Sequence, residues 1–162
     1  MIKGLHHNAY RCRDSEETRR FYEDFLGLPL AHSLPIGRTR TGRVASVLHT
    51  FYRLGDGSFL AFFEEPGVPF EFKRQRDFDL HIALEVEHPE LGRMLEKGRE
   101  AGIETRGIVD HGFIDSLYFR DPNGYVIELT AKRPGHDAEL EPSTNGARRV
   151  LEDWQRTKVF PG

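Results

Sequence analysis

Three side chains in this sequence have types and spacing that could do chemistry together. Glu128 sits in the run Tyr125–Thr130, where Tyr125, Ile127 and Leu129 alternate with Val126, Glu128 and Thr130. That period of two is the pattern of a strand. A carboxylate in mid-strand, flanked by Ile127 and Leu129, is costly to bury without a positive partner. His81 opens another alternating run, with Ile82, Leu84 and Val86 on one face and His81, Ala83 and Glu85 on the other. His7 lies at the matching place near the N-terminus. If the segments carrying these residues pair about a pseudo-twofold axis, two imidazoles and one carboxylate converge. The positive partner of Glu128 is then a divalent metal. Two His and one carboxylate form the facial set of non-haem Fe(II) sites, which leaves coordination positions open. The plainer readings are a hydrogen-bonded core imidazole at His81 and a salt-bridge carboxylate at Glu128.

The elements that must position these residues repeat along the chain. His7 and His81 are separated by 74 positions, as are Ala9 and Ala83, and Phe21 and Leu95, whereas the glycines of the final hairpins, Gly57 and Gly124, are separated by 67. Each copy reads as strand, helix and three strands, with seven extra residues in the first copy between helix and hairpin. In the first copy a strand over 2–12 leads to Asp14 as helix N-cap, with Glu16 and Glu17 in the first turn. Thr18, Phe21, Tyr22, Phe25 and Leu26 give the helical stripe, and Gly27 the stop. Residues 33–44, with Arg38, Arg40 and Arg43, read as a solvated loop, and strands follow near 44–54 and 58–64. In the second copy a strand over 79–87, a helix from Pro89 to Gly102, and strands near 103–109 and 115–120 lead into a hairpin turned by Asp121, Pro122, Asn123 and Gly124. The expected organisation is a first βαβββ module at 1–66, a linker at 67–78, a second module at 79–131 and a tail at 132–162. In the tail Ala147, Val150, Leu151 and Trp154 have the spacing of a capping helix. Neither module can bury a sheet alone, so the two must pack together. The fold class is therefore α+β.

Composition narrows the setting. The 162 residues are 38% hydrophobic and 30% charged, with a net charge of −3, as in a soluble globular protein without general affinity for nucleic acid. No apolar run reaches the ~20 residues of a membrane span. The start MIKGLHHNAY does not have the form of a signal peptide, and the single cysteine, Cys12, suits a reducing cytoplasm.

The stretches HNAYRCRDSEETRRFYEDFLGLPL, DLHIALEV and SLYFRDPNGYVIEL make residues 2–131 resemble the vicinal oxygen chelate superfamily, which includes glyoxalase I, bleomycin-resistance proteins, fosfomycin-resistance enzymes and extradiol ring-cleaving dioxygenases. The resemblance implies paired βαβββ modules forming a cup-shaped mixed sheet around one divalent metal, with ligands at His7, His81 and Glu128. It also implies a choice of reaction. Glyoxalase I enzymes carry a fourth ligand on the last strand of the first module. Here the strand alignment places Ala61 opposite Glu128, and Glu64 reaches that face only through a bulge. Three ligands favour Fe(II) and an extradiol dioxygenase acting on a small aromatic vicinal diol. A glyoxalase-like lyase, isomerase or epimerase with Ni, Zn, Co or Mn is the alternative, and a metal-free drug-binding protein is a third. By the same resemblance Tyr118 and His111 are candidate catalytic residues, and His49 or His111 would serve as acid–base. Phe59 and Phe63 share the face of Ala61 and could wall an aromatic pocket, and one of the three loop arginines could bind a substrate carboxylate. Relatives pair, so a homodimer is expected.

Overall fold

The structure is a computed structural model, and it describes residues 1–72, 76 and 78–158. Residues 73–75 and 77 of the expected linker, and 159–162 of the tail, lie outside the described residues. Two four-stranded sheets with few helices form the α+β arrangement expected from the repeat. The first contains β1 (His7–Arg11), β2 (Leu30–Arg38), β3 (Val44–Arg53) and β4 (Phe59–Glu64) in the order β1-β4-β3-β2. The second contains β5 (His81–Glu85), β6 (Thr105–Asp110), β7 (Ile114–Arg120) and β8 (Val126–Lys132) in the order β5-β8-β7-β6. Helix α1 (Ser15–Arg19) and helix α2 (His88–Glu100) follow the first strand of each repeat, and α3 (His136–Glu139) and α4 (Ala147–Thr157) form the tail. The chain falls into two compact units. Unit 1 is Met1–Ile82 with Phe119–Ile127, and unit 2 is Ala83–Tyr118 with Glu128–Gly162. Among the described residues no helix is long and apolar enough to cross a membrane.

Hydrogen bonds reproduce both repeat offsets. The Cys12 amide donates to Phe63 O and the Val86 amide to Thr130 O, each at 2.9 Å. The amides lie 86 − 12 = 74 positions apart and the carbonyls 130 − 63 = 67. The hairpins match in the same way: Leu54 N donates to Ser58 O and Asp121 N to Tyr125 O, with 121 − 54 = 67. The extra residues of the first copy lengthen its middle hairpin, where β2 and β3 have 9 and 10 residues against 6 and 7 in β6 and β7.

Asp14 caps α1 as its position predicts, with Oδ1 accepting the Glu17 amide at 2.8 Å. The helix then widens into a π-helical turn over Arg20–Phe25 before Gly27 ends it at φ +81°. The sequence reading of 33–44 as loop is wrong: β2 runs through Arg38, leaving only 39–43 as the turn. Pro35 fits there because β2 is the edge of its sheet, where a missing N–H is tolerated, and irregular pairing is confined to Leu30/His32 and Ile36/Arg38. The tail helix forms where expected, and its apolar stripe is exposed among the described residues. Val150, Leu151 and Trp154 are exposed, Trp154 to 62%.

The core of unit 1 centres on the turn 121–124. Tyr22 is fully buried and packs on Phe62 at 4.7 Å, while Phe25 meets Phe119 edge-on at 5.2 Å. Asp121, 4% exposed, accepts hydrogen bonds from Tyr22 Oη (3.0 Å), Asn123 Nδ2 (3.0 Å) and the amides of Asn123 and Tyr125 (2.9 and 2.8 Å). Asn123 Oδ1 in turn accepts the Arg13 amide at 2.8 Å. Burial pushes the Asp121 carboxyl above the usual carboxylate range, and the same burial holds the Tyr22 hydroxyl protonated. Cys12 is buried beside α1, and its thiol is pushed up to about 11. Asp121→Ala should orphan the buried Tyr22 hydroxyl and Asn123 amide, at roughly 1–3 kcal/mol for each donor. A urea midpoint unchanged from wild type at pH 7 would contradict this account of the turn.

Candidate functional site

The first face belongs to unit 1. Parallel pairing of β1 with β4 sets His7 beside Phe59 and Ala9 beside Ala61, and antiparallel pairing of β3 with β4 sets Phe51 beside Ala61 and His49 beside Phe63. Residues paired or two apart share a face, so His7, His49, Phe51, Phe59, Ala61 and Phe63 lie on one surface. Their rings form a continuous set. His49 stacks on Phe63 at 3.7 Å with 12° between planes and meets Phe51 at 4.2 Å, and His7 lies 5.5 Å from Phe51 and 6.2 Å from His49. His49 is buried, and its Nδ1 is 3.0 Å from Phe62 O. A carbonyl only accepts, so Nδ1 carries the proton and Nε2 is left with the lone pair. Phe59 and Phe63 thus share the face of Ala61, and His49 is stacked on the Phe63 ring.

Ala61 and Glu64 bear on the number of metal donors. Ala61 is fully buried, and the repeat offset makes it the counterpart of Glu128, since 128 − 61 = 67. The β3–β4 register runs unbroken from Arg53/Phe59 to Leu48/Glu64, so no bulge turns Glu64 onto the face of Ala61. The Glu64 carboxylate instead accepts the Ser15 amide at 2.8 Å, satisfying a donor in the first turn of α1.

The second face belongs to unit 2. Glu128, on β8, is 4% exposed, and its Oε1 accepts the Tyr118 hydroxyl at 3.3 Å. His111 Nε2 lies 2.8 Å from the same hydroxyl oxygen. Tyr118, which is ten residues before Glu128, thus links His111 to the carboxylate. A tight turn places His111: its amide donates to Ile114 O at 2.9 Å, and Asp110 Oδ1 accepts the Gly112 amide at 2.7 Å, with Gly112 at φ +89°. Burial and the neighbouring Glu128 charge raise the Tyr118 hydroxyl above its ordinary value, so it is a neutral donor near pH 7. Arg106, which the sequence reading did not single out, lies over the Tyr118 ring at 4.4 Å. Spacing along the sequence carries no signal for a contact made across strands.

Of the expected metal ligands, His7 and His81 are exposed residues at the starts of β1 and β5 in unit 1, and Glu128 belongs to unit 2. Among the described residues no group of three or more His, Cys, Asp or Glu side chains forms a ready-made cage. As donor types, two imidazoles and a carboxylate are of the kind a first-row divalent ion takes. His7 and His81 are equivalent imidazoles, and Glu128 is a buried carboxylate oriented by a hydroxyl. Among the loop arginines, Arg38 donates to Gly42 O and Arg43 pairs with Glu65 at 3.4 Å. The first contact closes the turn 39–43, and the second ties that turn to Glu65 after β4.

Residues 4–129 match the family model described as Glyoxalase/Bleomycin resistance protein/Dioxygenase superfamily. A glyoxylase I 4 from Arabidopsis thaliana is 29% identical over 131 residues, covering 79% of this chain and 70% of its own length. Metallothiol transferase FosB from Shouchella clausii is 26% identical over 157 residues, covering 88% and 92%. The fosfomycin resistance protein FosX from Listeria monocytogenes, solved with Mn(II) and sulfate, superposes with a TM-score of 0.63 at 20% identity, over 85% of this chain and 99% of its own.

If Glu64 is a helix-capping acceptor only, Glu64→Ala should cost about 1 kcal/mol of stability and leave divalent-metal affinity at its wild-type value. Calorimetric metal titration and urea denaturation of the same variant check both halves. Lost metal affinity would make Glu64 a ligand.

Proposed function

The chain belongs to the Glyoxalase/Bleomycin resistance protein/Dioxygenase superfamily, and on that footing we propose that it is a metal-dependent enzyme whose ion is held by His7, His81 and Glu128. The favoured reaction is ring-cleaving dioxygenation of a small aromatic vicinal diol, with Fe(II) as the ion. The observation that carries this reading is the pair Ala61 and Glu64: the place equivalent to Glu128 holds a methyl group, and the nearest carboxylate is bonded to the Ser15 amide. His7, His81 and Glu128 would hold such an ion without a fourth carboxylate, as a reaction that must accept both a diol and O2 would require.

A bound ion would supply Lewis acidity to paired substrate oxygens and, as Fe(II), reactivity toward O2. The chain's own residues supply the rest. Phe51 and Phe63 offer flat apolar surface for an aromatic ring. The free Nε2 of His49 can accept a proton from a substrate hydroxyl, because its Nδ1 is held by Phe62 O. The Tyr118 hydroxyl, neutral at pH 7, donates to Glu128 and so would hold that carboxylate in place toward the ion, with His111 against the same hydroxyl oxygen. A homodimer with α4 at its contact, in the cytoplasm, completes the proposal. The exposed Val150, Leu151 and Trp154 support the first point and the single buried Cys12 the second.

A second reading, metal-dependent transfer of a thiol to a small electrophile, is favoured by the near full-length alignment with FosB. Oxygen uptake separates the two. After anaerobic Fe(II) reconstitution, some member of a catechol panel should drive O2 consumption matched to its own loss. No uptake, with metal-dependent consumption of a thiol, would favour the second reading. In either case His81→Ala or Glu128→Ala should lose bound metal and activity while keeping the wild-type circular dichroism spectrum. Stoichiometric metal at wild-type affinity in either variant would remove the ligand assignment. Sedimentation at tens of micromolar protein should show a dimer that Trp154→Glu dissociates.

A further inference from the structure

His6 adjoins His7 and has no part in the site described above. Neighbours within a strand point to opposite faces, but β1 begins at His7 and His6 precedes it. The His6 ring is therefore free of the alternation. Its backbone is fixed by Phe59, whose amide donates to His6 O at 3.0 Å, and its ring packs against the Phe59 ring at 5.9 Å. The two imidazoles meet edge to face, 5.0 Å between centroids and 77° between planes, with Nδ1 to Nδ1 at 2.8 Å. A neutral imidazole has one protonated and one bare nitrogen. A hydrogen bond between two Nδ1 atoms therefore requires one ring to carry its proton there and the other to carry it on Nε2. If the proton is on His7 Nδ1, His7 Nε2 has a free lone pair. If it is on His6 Nδ1, His7 Nε2 is protonated and cannot bind a metal.

We propose that His6 is a positioning residue: its Nδ1 accepts the proton of His7 Nδ1, which fixes the ring and presents His7 Nε2 as a metal donor. The proposal rests on the ligand role given to His7 above. Metal-bound histidines are oriented by an acceptor on the far nitrogen, usually a carboxylate, a carbonyl or water. Here the acceptor is another imidazole, supplied by the preceding residue.

Long-range 1H–15N spectra of the metal-free protein test the tautomers without any metal. His7 should carry its proton on Nδ1 and His6 on Nε2. In His6→Phe, which keeps a ring against Phe59 but removes the acceptor, His7 should move toward the Nε2-protonated form, and Mn(II) or Zn(II) affinity should fall about 10–100-fold. His6→Asn, which restores an acceptor oxygen, should recover most of that affinity. Nε2 protonation of His7 in the wild type, or wild-type affinity in His6→Phe alongside loss in His7→Ala, would overturn the role of His6 alone. Wild-type affinity in His7→Ala would overturn the ligand reading on which it rests.

Discussion

The Asp121 carboxylate is the contact on which the rest of unit 1 depends. It lies in the turn between β7 and β8, yet it is buried and accepts the hydroxyl of Tyr22 from the π-helical turn that ends α1. Burying a carboxylate is expensive, and its four accepted hydrogen bonds offset the cost. The exchange has a structural effect: a turn far away in sequence becomes part of the core around α1. Asn123 adds a second tie through the Arg13 amide, and Tyr125 a third, donating its hydroxyl to Arg11 O at 3.0 Å. The strands on either side of this turn carry Tyr118 and Glu128.

Much of this was legible in the sequence. The two offsets, 74 at the first strands and 67 at the hairpins, reappear as matching amide-to-carbonyl bonds. They survive because a repeat preserves backbone pairing even where side chains diverge. The Asp14 cap was legible because capping is local. The strand β2 was not: 33–44 read as loop, and its place at the sheet edge, which makes Pro35 acceptable in a strand, is a property of the assembled sheet. The tail helix was legible as a helix, whereas the exposure of its apolar stripe was not. An amphipathic stripe shows that a surface needs covering and does not say what covers it.

The candidate site divides along the same line. The resemblance pointed to Tyr118, ten residues before Glu128, and a tight hairpin brings the two side chains together. Spacing could not find Arg106 over the Tyr118 ring, nor the commitment of Glu64 to Ser15, since both partners come from other elements. The two copies of one backbone frame have also diverged in kind. At one pair of equivalent positions the second copy has Tyr118 and Glu128, and the first has Phe51 and Ala61. At this pair of positions one copy carries ionisable groups and the other apolar ones.

The buried cysteine has a consequence for the protein's lifetime. Cys12 sits under α1 with its thiol pushed up to about 11, so in the folded chain it is both shielded and protonated. Electrophiles and oxidants attack the thiolate. Modification at this position must therefore wait for the helix to lift from the sheet, and its rate is set by how often that opening occurs rather than by the reagent's intrinsic reactivity. An enzyme handling oxygen or reactive small molecules would keep its one thiol out of their reach for as long as it stays folded, and a labelled Cys12 would mark a chain that has already opened.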